Sequence, residues 1–440
     1  ILSFNSFIPA DLGDELAGRL VDYYLNKLAA QPSLHDKIEF EVVFSCYTLD
    51  ILKRLKKLEE FGFSKTECKQ IADSLRILTN GIVCPKNGLW RQDAEKLNVL
   101  NRHRKELFSS ISEPVTKIYW LLEDAKRYGT LPFAGLARAG FVAVQMLKSL
   151  VTEGVFSEED YASFTRGVST VSGQLAWDRT SLDKASFLKR YGHLRPGSYD
   201  ILSTRYDETP ELYFDWDVSV PKVDSVPPFT ITLPQLHAIS NLLKAHGLTP
   251  DTVELFNFMQ SGIEMREEAK FQFTKNLSDV LSLIGELGAK HGFSKEEMAY
   301  CDVSIFKELY ISALDPIGII ANSIEQGKSR YEETLRVSLP PLISSAEDIW
   351  AFEIPETEPN YITQLNITAL VQGTQSISQL KGAIVCIQNA DPGYDWLFSH
   401  NIGGLITAWG GVNSHMAIRS GELSLPAVIG CGELLYHKWS

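Results

Sequence analysis

The sequence predicts an α+β protein of several domains, with a large, mainly helical region followed by a small α/β domain. Three observations carry that expectation. Apolar residues recur at helical spacing through residues 1 to 335. Prolines then cluster at Pro340, Pro341, Pro355 and Pro359, and after them come short runs that alternate or stay apolar as strands do. A chain of 440 residues exceeds the usual size of one domain, so core burial does not limit it.

Taken in order, helical spacing covers residues 12–28, 51–61, 68–78, 111–128, 141–150, 236–243 and 265–287. Three helix starts share one device: Ser64-x-x-Glu67, Ser157-x-x-Asp160 and Ser294-x-x-Glu297. Each follows a phenylalanine and a nearby glycine, as expected of a C-cap, a turn and an N-capping box. Residues 207–234 interrupt the pattern with Pro210, Pro221, Pro227, Pro228 and Pro234. They are expected as a loop or extended crossing ordered by Tyr213, Phe214 and Trp216, where the helical region 1–335 is open to a split. Residues 336–360 read as a linker and 361–440 as the small domain. In that domain residues 361–370 alternate as a strand, and strand-like runs continue to the His415 segment. Gly404–Trp409 reads as a short buried strand.

The formal charge of −13 argues against general nucleic-acid binding, which needs a basic face. Cysteines 46, 68, 84, 301, 386 and 431 lack metal-ligand or disulfide-framework spacing and are expected to be reduced. No apolar run of membrane-spanning length is read, nor a basic-apolar leader, so no membrane partner and a cytoplasmic location are expected. The chain opens at Ile1 as though in mid-domain, and a further amino-terminal portion is expected.

The strongest chemical signal follows the Gly404–Trp409 strand. Gly410 and Gly411 permit a tight turn, Ser414 can cap a helix over residues 414–423, and His415 then falls in the first turn. Free N–H groups and the helix dipole favour anions there and disfavour imidazolium. The ring is thereby kept neutral with a lone pair able to attack phosphorus. A second cluster, Gly192-His193-Leu194-Arg195-Pro196-Gly197-Ser198-Tyr199-Asp200 with Arg205, is rich in groups that bind or protonate a polar substrate, although a solvated charged turn is the plainer reading of its composition. A third, Leu34-His35-Asp36-Lys37-Ile38-Glu39-Phe40-Glu41, suits either an ammonium or carboxylate of a small substrate or, more simply, a salt-bridge network. Arg138 lies among small residues at 134–140, which suit helix packing first and a carboxylate pocket second. Gly327-Lys328-Ser329 lacks the leading glycine and the strand of a phosphate loop.

Thr407-x-x-Gly410-Gly411-x-x-Ser414-His415-x-Ala417-Ile418, followed by Leu425-Pro426-Ala427-Val428-Ile429-Gly430, resembles the phosphohistidine signature of the swivelling domain in phosphoenolpyruvate-utilising phosphotransferases. The resemblance covers residues 381–432 and implies a strand over 382–387 with a turn after it at 389–396. It implies that His415 carries a phosphoryl group and that Thr407, Gly411 and Ser414 help to hold it. The family places an arginine six residues after the histidine, whereas Gly421 stands there and Arg419, four residues on, is the remaining candidate. The resemblance also implies an ATP-grasp domain before Ile1 that binds ATP and Mg²⁺, with no metal ligands in this chain. The 187–201 segment is similar to one in rifamycin phosphotransferase-like members. That likeness makes His193 a candidate base and Arg195 an anion clamp on the acceptor side, with Tyr199, Asp200, Arg205, His35, Lys37 and Arg138 as further candidates. Residues 4–10, 35–41 and 390–396 most resemble the glutamine-phosphorylating branch that begins capsular phosphoramidate synthesis, which implies L-glutamine as acceptor. An antibiotic hydroxyl or a pyruvate-like acceptor, a phosphocarrier without activity of its own, and a vestigial histidine segment are the alternatives.

Overall fold

The helical periodicity is realised over most of the first 335 residues, in a computed structural model that describes residues 4–440. The exceptions are 33, 35, 36, 111, 215, 217–228, 312–314, 338, 341, 342, 344, 353–358, 376, 412 and 413; residues 5, 6, 172, 392, 415 and 422 are described by backbone alone. The principal helices are Asp14–Ala30, Lys65–Val83, Leu89–Ser109, Leu131–Thr152, Leu233–His246, Thr252–Lys290 and Pro316–Thr334. All three expected capping boxes form. Ser64, Ser157 and Ser294 each accept from the backbone N–H three residues on, and the acid at that position accepts from the cap. Thr232 and Gln235 make a fourth that periodicity did not single out. Leu89–Ser109 and Pro316–Thr334 were also not among the expected helices, because charged residues interrupt their apolar stripes.

Residues group into two compact units that do not follow chain order. The first comprises 1–96, 131–171 and 224–270, the second 97–130, 172–223 and 271–440. The boundary between 223 and 224 lies within residues 207–234, and residues 361–440 belong to the second unit. In the first unit Tyr24 is fully buried beside Phe4 and Phe44, and Phe156, Phe164, Phe229 and Phe256 form an aromatic cluster. Gly140 lies against the Gly262 carbonyl, where a Cβ would stand only 3.1 Å away, so the small residues around Arg138 serve close helix packing. In the second unit Ile118, Leu121, Val280, Ile284, Phe306, Leu309 and Ile320 form the helical core. Gly327-Lys328-Ser329 lies inside the Pro316–Thr334 helix, not in a phosphate loop.

One reading is corrected. The helical stretch Pro114–Thr152 is long and apolar enough to cross a membrane by length and composition, although the sequence reading found no such run. Half of its most apolar window is buried within the protein, as in a core helix.

The carboxy-terminal part holds a five-stranded sheet: β1 (Asn360–Tyr361), β2 (Val371–Gln372), β3 (Ile384–Asn389), β4 (Gly404–Trp409) and β5 (Ala427–Ile429), in the order β1-β5-β4-β3-β2. β1 runs antiparallel to β5 and the other pairs are parallel. Val385, Cys386, Ile387, Leu405, Thr407, Ala408 and Ile429 are buried, the near-continuous burial expected of a covered parallel sheet. The expected strand over 361–370 is not formed beyond Tyr361. Ile362 N–H still donates to the Ala427 carbonyl and Ile384 N–H to the Leu370 carbonyl, but between them Leu365 and Ile367 are exposed, so the alternation buries no continuous face. Residues 389–396, read as a turn, run into a 3₁₀ segment, Pro392–His400, that connects β3 to β4.

Candidate functional site

β4 delivers the chain to Gly410, whose φ of +132° few other residues adopt; a Cβ there would lie 2.6 Å from that of Ala390. Gly430, at φ +66°, closes on it so tightly that a Cβ would stand 2.1 Å from the Gly410 carbonyl oxygen. The Thr407 hydroxyl locks this meeting of β4 and β5. It accepts from the Gly430 N–H and donates to the Trp409 carbonyl, each at 3.0 Å. Thr407 is fully buried, so in this arrangement its hydroxyl shapes the loop.

Ser414 then caps the helix His415–Glu422. Its Oγ accepts from Ala417 N–H at 3.4 Å, and its own N–H donates to the Gly411 carbonyl at 2.9 Å. His415 is the first residue of that helix, where first-turn N–H groups have no acceptor within the helix and the dipole is positive. One turn on, Arg419 is buried. Its Nε stands 3.8 Å from Asp395 Oδ1, and its guanidinium lies over the Phe398 ring at 5.8 Å. Arg419 therefore joins the signature helix to the 3₁₀ segment Pro392–His400.

The second expected cluster is a closed loop. Tyr206 N–H donates to Leu194 O and Asp207 N–H to Gly192 O, which pairs the two limbs. Arg195 uses all five of its N–H groups inside the fold: one on Ser278 Oγ, two on the carbonyls of Asp200 and Ser203, and two on Ser278 O and Ser282 Oγ. Its guanidinium thus organises the loop and has no donor left for an anion in this arrangement. Arg205 is likewise engaged, forked onto Asp207 and bonded to Asp279, which also binds Arg104. Asp200 accepts from Leu202 N–H at a turn, and Tyr199 is exposed.

His193 is buried, its ring edge-on to Phe271 at 4.8 Å, and its Nε2 has no hydrogen-bond partner among the described residues. Burial holds its pKa well below the ordinary value, and the positive charges of Lys275, Arg205 and Arg104 push it further down, so the ring is neutral. Lys37 and Arg138 belong to the first unit, half-buried, and His35 lies outside the described residues.

Contacts that sequence reasoning did not foresee bring the loop and the sheet domain together. Ser198 Oγ donates to Asp391 Oδ1 at 2.9 Å, Tyr206 Oη donates to the Gly393 carbonyl at 2.9 Å, and His400 Nε2 donates to the Tyr213 carbonyl at 3.0 Å. Tyr213 and Trp396 meet ring to ring at 5.5 Å. The unusual density of aromatic and small residues at 391–400 was the available signal. Elsewhere in this unit a cavity of about 380 Å³ is lined by polar side chains, among them Asp302, Glu308, Asn322, Gln326 and Arg330. Among the described residues no group of three or more His, Cys, Asp or Glu side chains gathers as a metal centre would.

No curated protein matches the chain. Residues 379–438, which hold the Gly410–Gly430 loop, the capped helix and the 3₁₀ segment, match the family model of the PEP-utilising enzyme mobile domain.

Proposed function

We propose that this chain is the carrier and acceptor-side portion of an ATP-dependent phosphotransferase that works through His415 and phosphorylates L-glutamine, the reaction of an L-glutamine kinase. The observation that carries the reading is the position of His415. It opens a capped helix directly after a glycine turn, inside the segment that matches the mobile domain.

The chemistry divides into three steps. An imidazole nitrogen of His415 attacks the β-phosphorus of ATP, so that the N–P bond forms, the bond between that phosphorus and the α-phosphate oxygen breaks, and AMP leaves. Water then cleaves the terminal phosphate. Finally the side-chain amide nitrogen of glutamine attacks the remaining phosphorus, loses a proton, and the imidazole departs. An amide nitrogen is a weak nucleophile, so positioning and exclusion of water supply the rest. Backbone N–H groups after His415, with Gly411, Ser414 and Arg419 near them, are the groups proposed to hold the phosphoryl oxygens, and Thr407 fixes the loop that presents them. ATP and Mg²⁺ belong to an ATP-grasp module of the same protein. The small, polar lining of the 380 Å³ cavity supports a small charged acceptor over a bulky apolar one.

The test is ³¹P NMR and mass spectrometry of the full-length protein with ATP and Mg²⁺, with and without glutamine, beside His415→Asn. An acid-labile adduct on His415 that glutamine discharges, with AMP formed, is the expected result. An adduct indifferent to glutamine would overturn the acceptor alone, and absence of any adduct would overturn the phosphohistidine.

A further inference from the structure

We infer that the cleft between the loop at Asp302, the helix Ile305–Ile311 and the helix Pro316–Thr334 is an amino-acid site. Arg330 takes the α-carboxylate, Asp302 and Glu308 take the α-ammonium, and Asn322 and Gln326 read a carboxamide side chain. The zwitterion site rests on the cleft itself; its use for the acceptor rests on the phosphotransfer reading above.

The walls are fixed before any ligand arrives. Gly327 lies so close to the Tyr300 carbonyl that no Cβ would fit between them, and the buried Ser323 hydroxyl accepts from Asp302 N–H at 2.9 Å. These contacts hold the loop against the helix and leave a space of about 380 Å³ beside them. That is the small end of the range for ligand sites, which suits one amino acid and excludes a bulky acceptor. Asn322, Gln326 and Arg330 stand four residues apart on their helix and so share one face, while Glu308 comes from the facing helix.

The charges are paired too loosely to serve stability. Arg330 Nη1 stands 3.7 Å from Asp302 Oδ2, beyond hydrogen-bond distance, and both side chains are more than half exposed. The guanidinium thus keeps its fork for a carboxylate. Asp302 is held in place, since its Oδ1 accepts from Ser304 N–H at 2.8 Å. Bonds from Ser304, and then the charge of Arg330, lower its pKa, so it is ionised at neutral pH. A zwitterion inserted here replaces one loose pair by two closer ones.

The amides supply the selectivity. Gln326 Nε2 donates to Asn322 Oδ1 at 3.3 Å, which leaves the Asn322 amino group and the Gln326 oxygen unengaged among the described residues. One donates and the other accepts, the complement of a primary carboxamide; a carboxylate side chain would set oxygen against oxygen at Gln326. The helical rise separates Gln326 from Arg330 by about 6 Å. A side chain of glutamine's length spans that step better than one of asparagine's.

Calorimetric titration of the full-length protein with L-glutamine, L-asparagine and L-glutamate, without nucleotide, tests the site, and steady-state turnover tests its role. Arg330→Gln and Asp302→Asn are each expected to weaken L-glutamine binding, and to raise its KM, about tenfold with kcat little changed. Arg330→Lys should recover part of the loss, and L-asparagine and L-glutamate should bind more weakly than L-glutamine. Unchanged L-glutamine affinity in both variants, or no binding of any of the three, would overturn the site. Weakened binding with an unchanged KM would overturn its use for the acceptor. Binding of L-glutamate or L-asparagine in preference, with the same dependence on Arg330, would uphold a zwitterion site and overturn the carboxamide assignment. Discharge of the His415 adduct by glutamine, measured separately, judges the phosphotransfer reading whatever the cleft does.

Discussion

His193 shows how a residue chosen for its chemistry can be held for its neutrality. Its ring is enclosed by Phe271 and faced by Lys275, Arg205 and Arg104, so protonation would place a fourth positive charge in a dry site. The unfolded chain carries an ordinary imidazole with a pKa of about 6.5, whereas the folded one takes its proton only at much lower pH. Between those values the unfolded state holds more protons. The contribution of His193 is therefore complete above about 6.5 and is lost as pH falls below it. Thermal unfolding at pH 7.5 and pH 5 should show a smaller difference in midpoint for His193→Gln than for the parent protein; equal differences would mean that other groups govern the acid limb. Arg195 illustrates a similar displacement of role. Sequence alone shows an arginine in a loop of polar residues, and only the fold shows that its five donors are already used.

At the scale of elements, legibility followed how local the determinant is. The capping boxes at Ser64, Ser157 and Ser294 lie within four residues and were readable before any coordinates, as was Ser414 ahead of His415. Replacing Ser157 by Ala should cost about 1 kcal/mol in denaturant unfolding, because one N–H of the Glu158–Arg166 helix loses its acceptor. β4 was readable because both its faces are covered, while residues 361–370 alternate with Leu365, Ile367 and Leu370 left exposed, so their pattern misled. The 3₁₀ segment Pro392–His400 was legible only as a turn. Its role depends on Arg195, Tyr206 and Tyr213, nearly two hundred residues away, and on Arg419 after it. Nothing in local spacing encodes such a meeting. Charged residues also hid the helix Leu89–Ser109, whose stability comes from packing that a periodicity count does not see.

At the scale of the molecule, the sequence separates a helical region from a sheet domain, whereas the fold groups the sheet with helices of the second unit through the seam at 192–214. A disulfide between Ser198→Cys and Asp391→Cys, placed where the native side chains lie 2.9 Å apart, should stop turnover and restore it on reduction. Full turnover in the oxidised protein would show that the seam need not open.

The sheet order has a consequence for encounters with other chains. The two outer strands, β1 and β2, are two residues long, and the longest strands, β3 and β4, lie inside. A longer rim would offer a row of unpaired amides and carbonyls to any other chain. With edges this brief among the described residues, the sheet offers little template for strand addition and so little route to aggregates of its own kind.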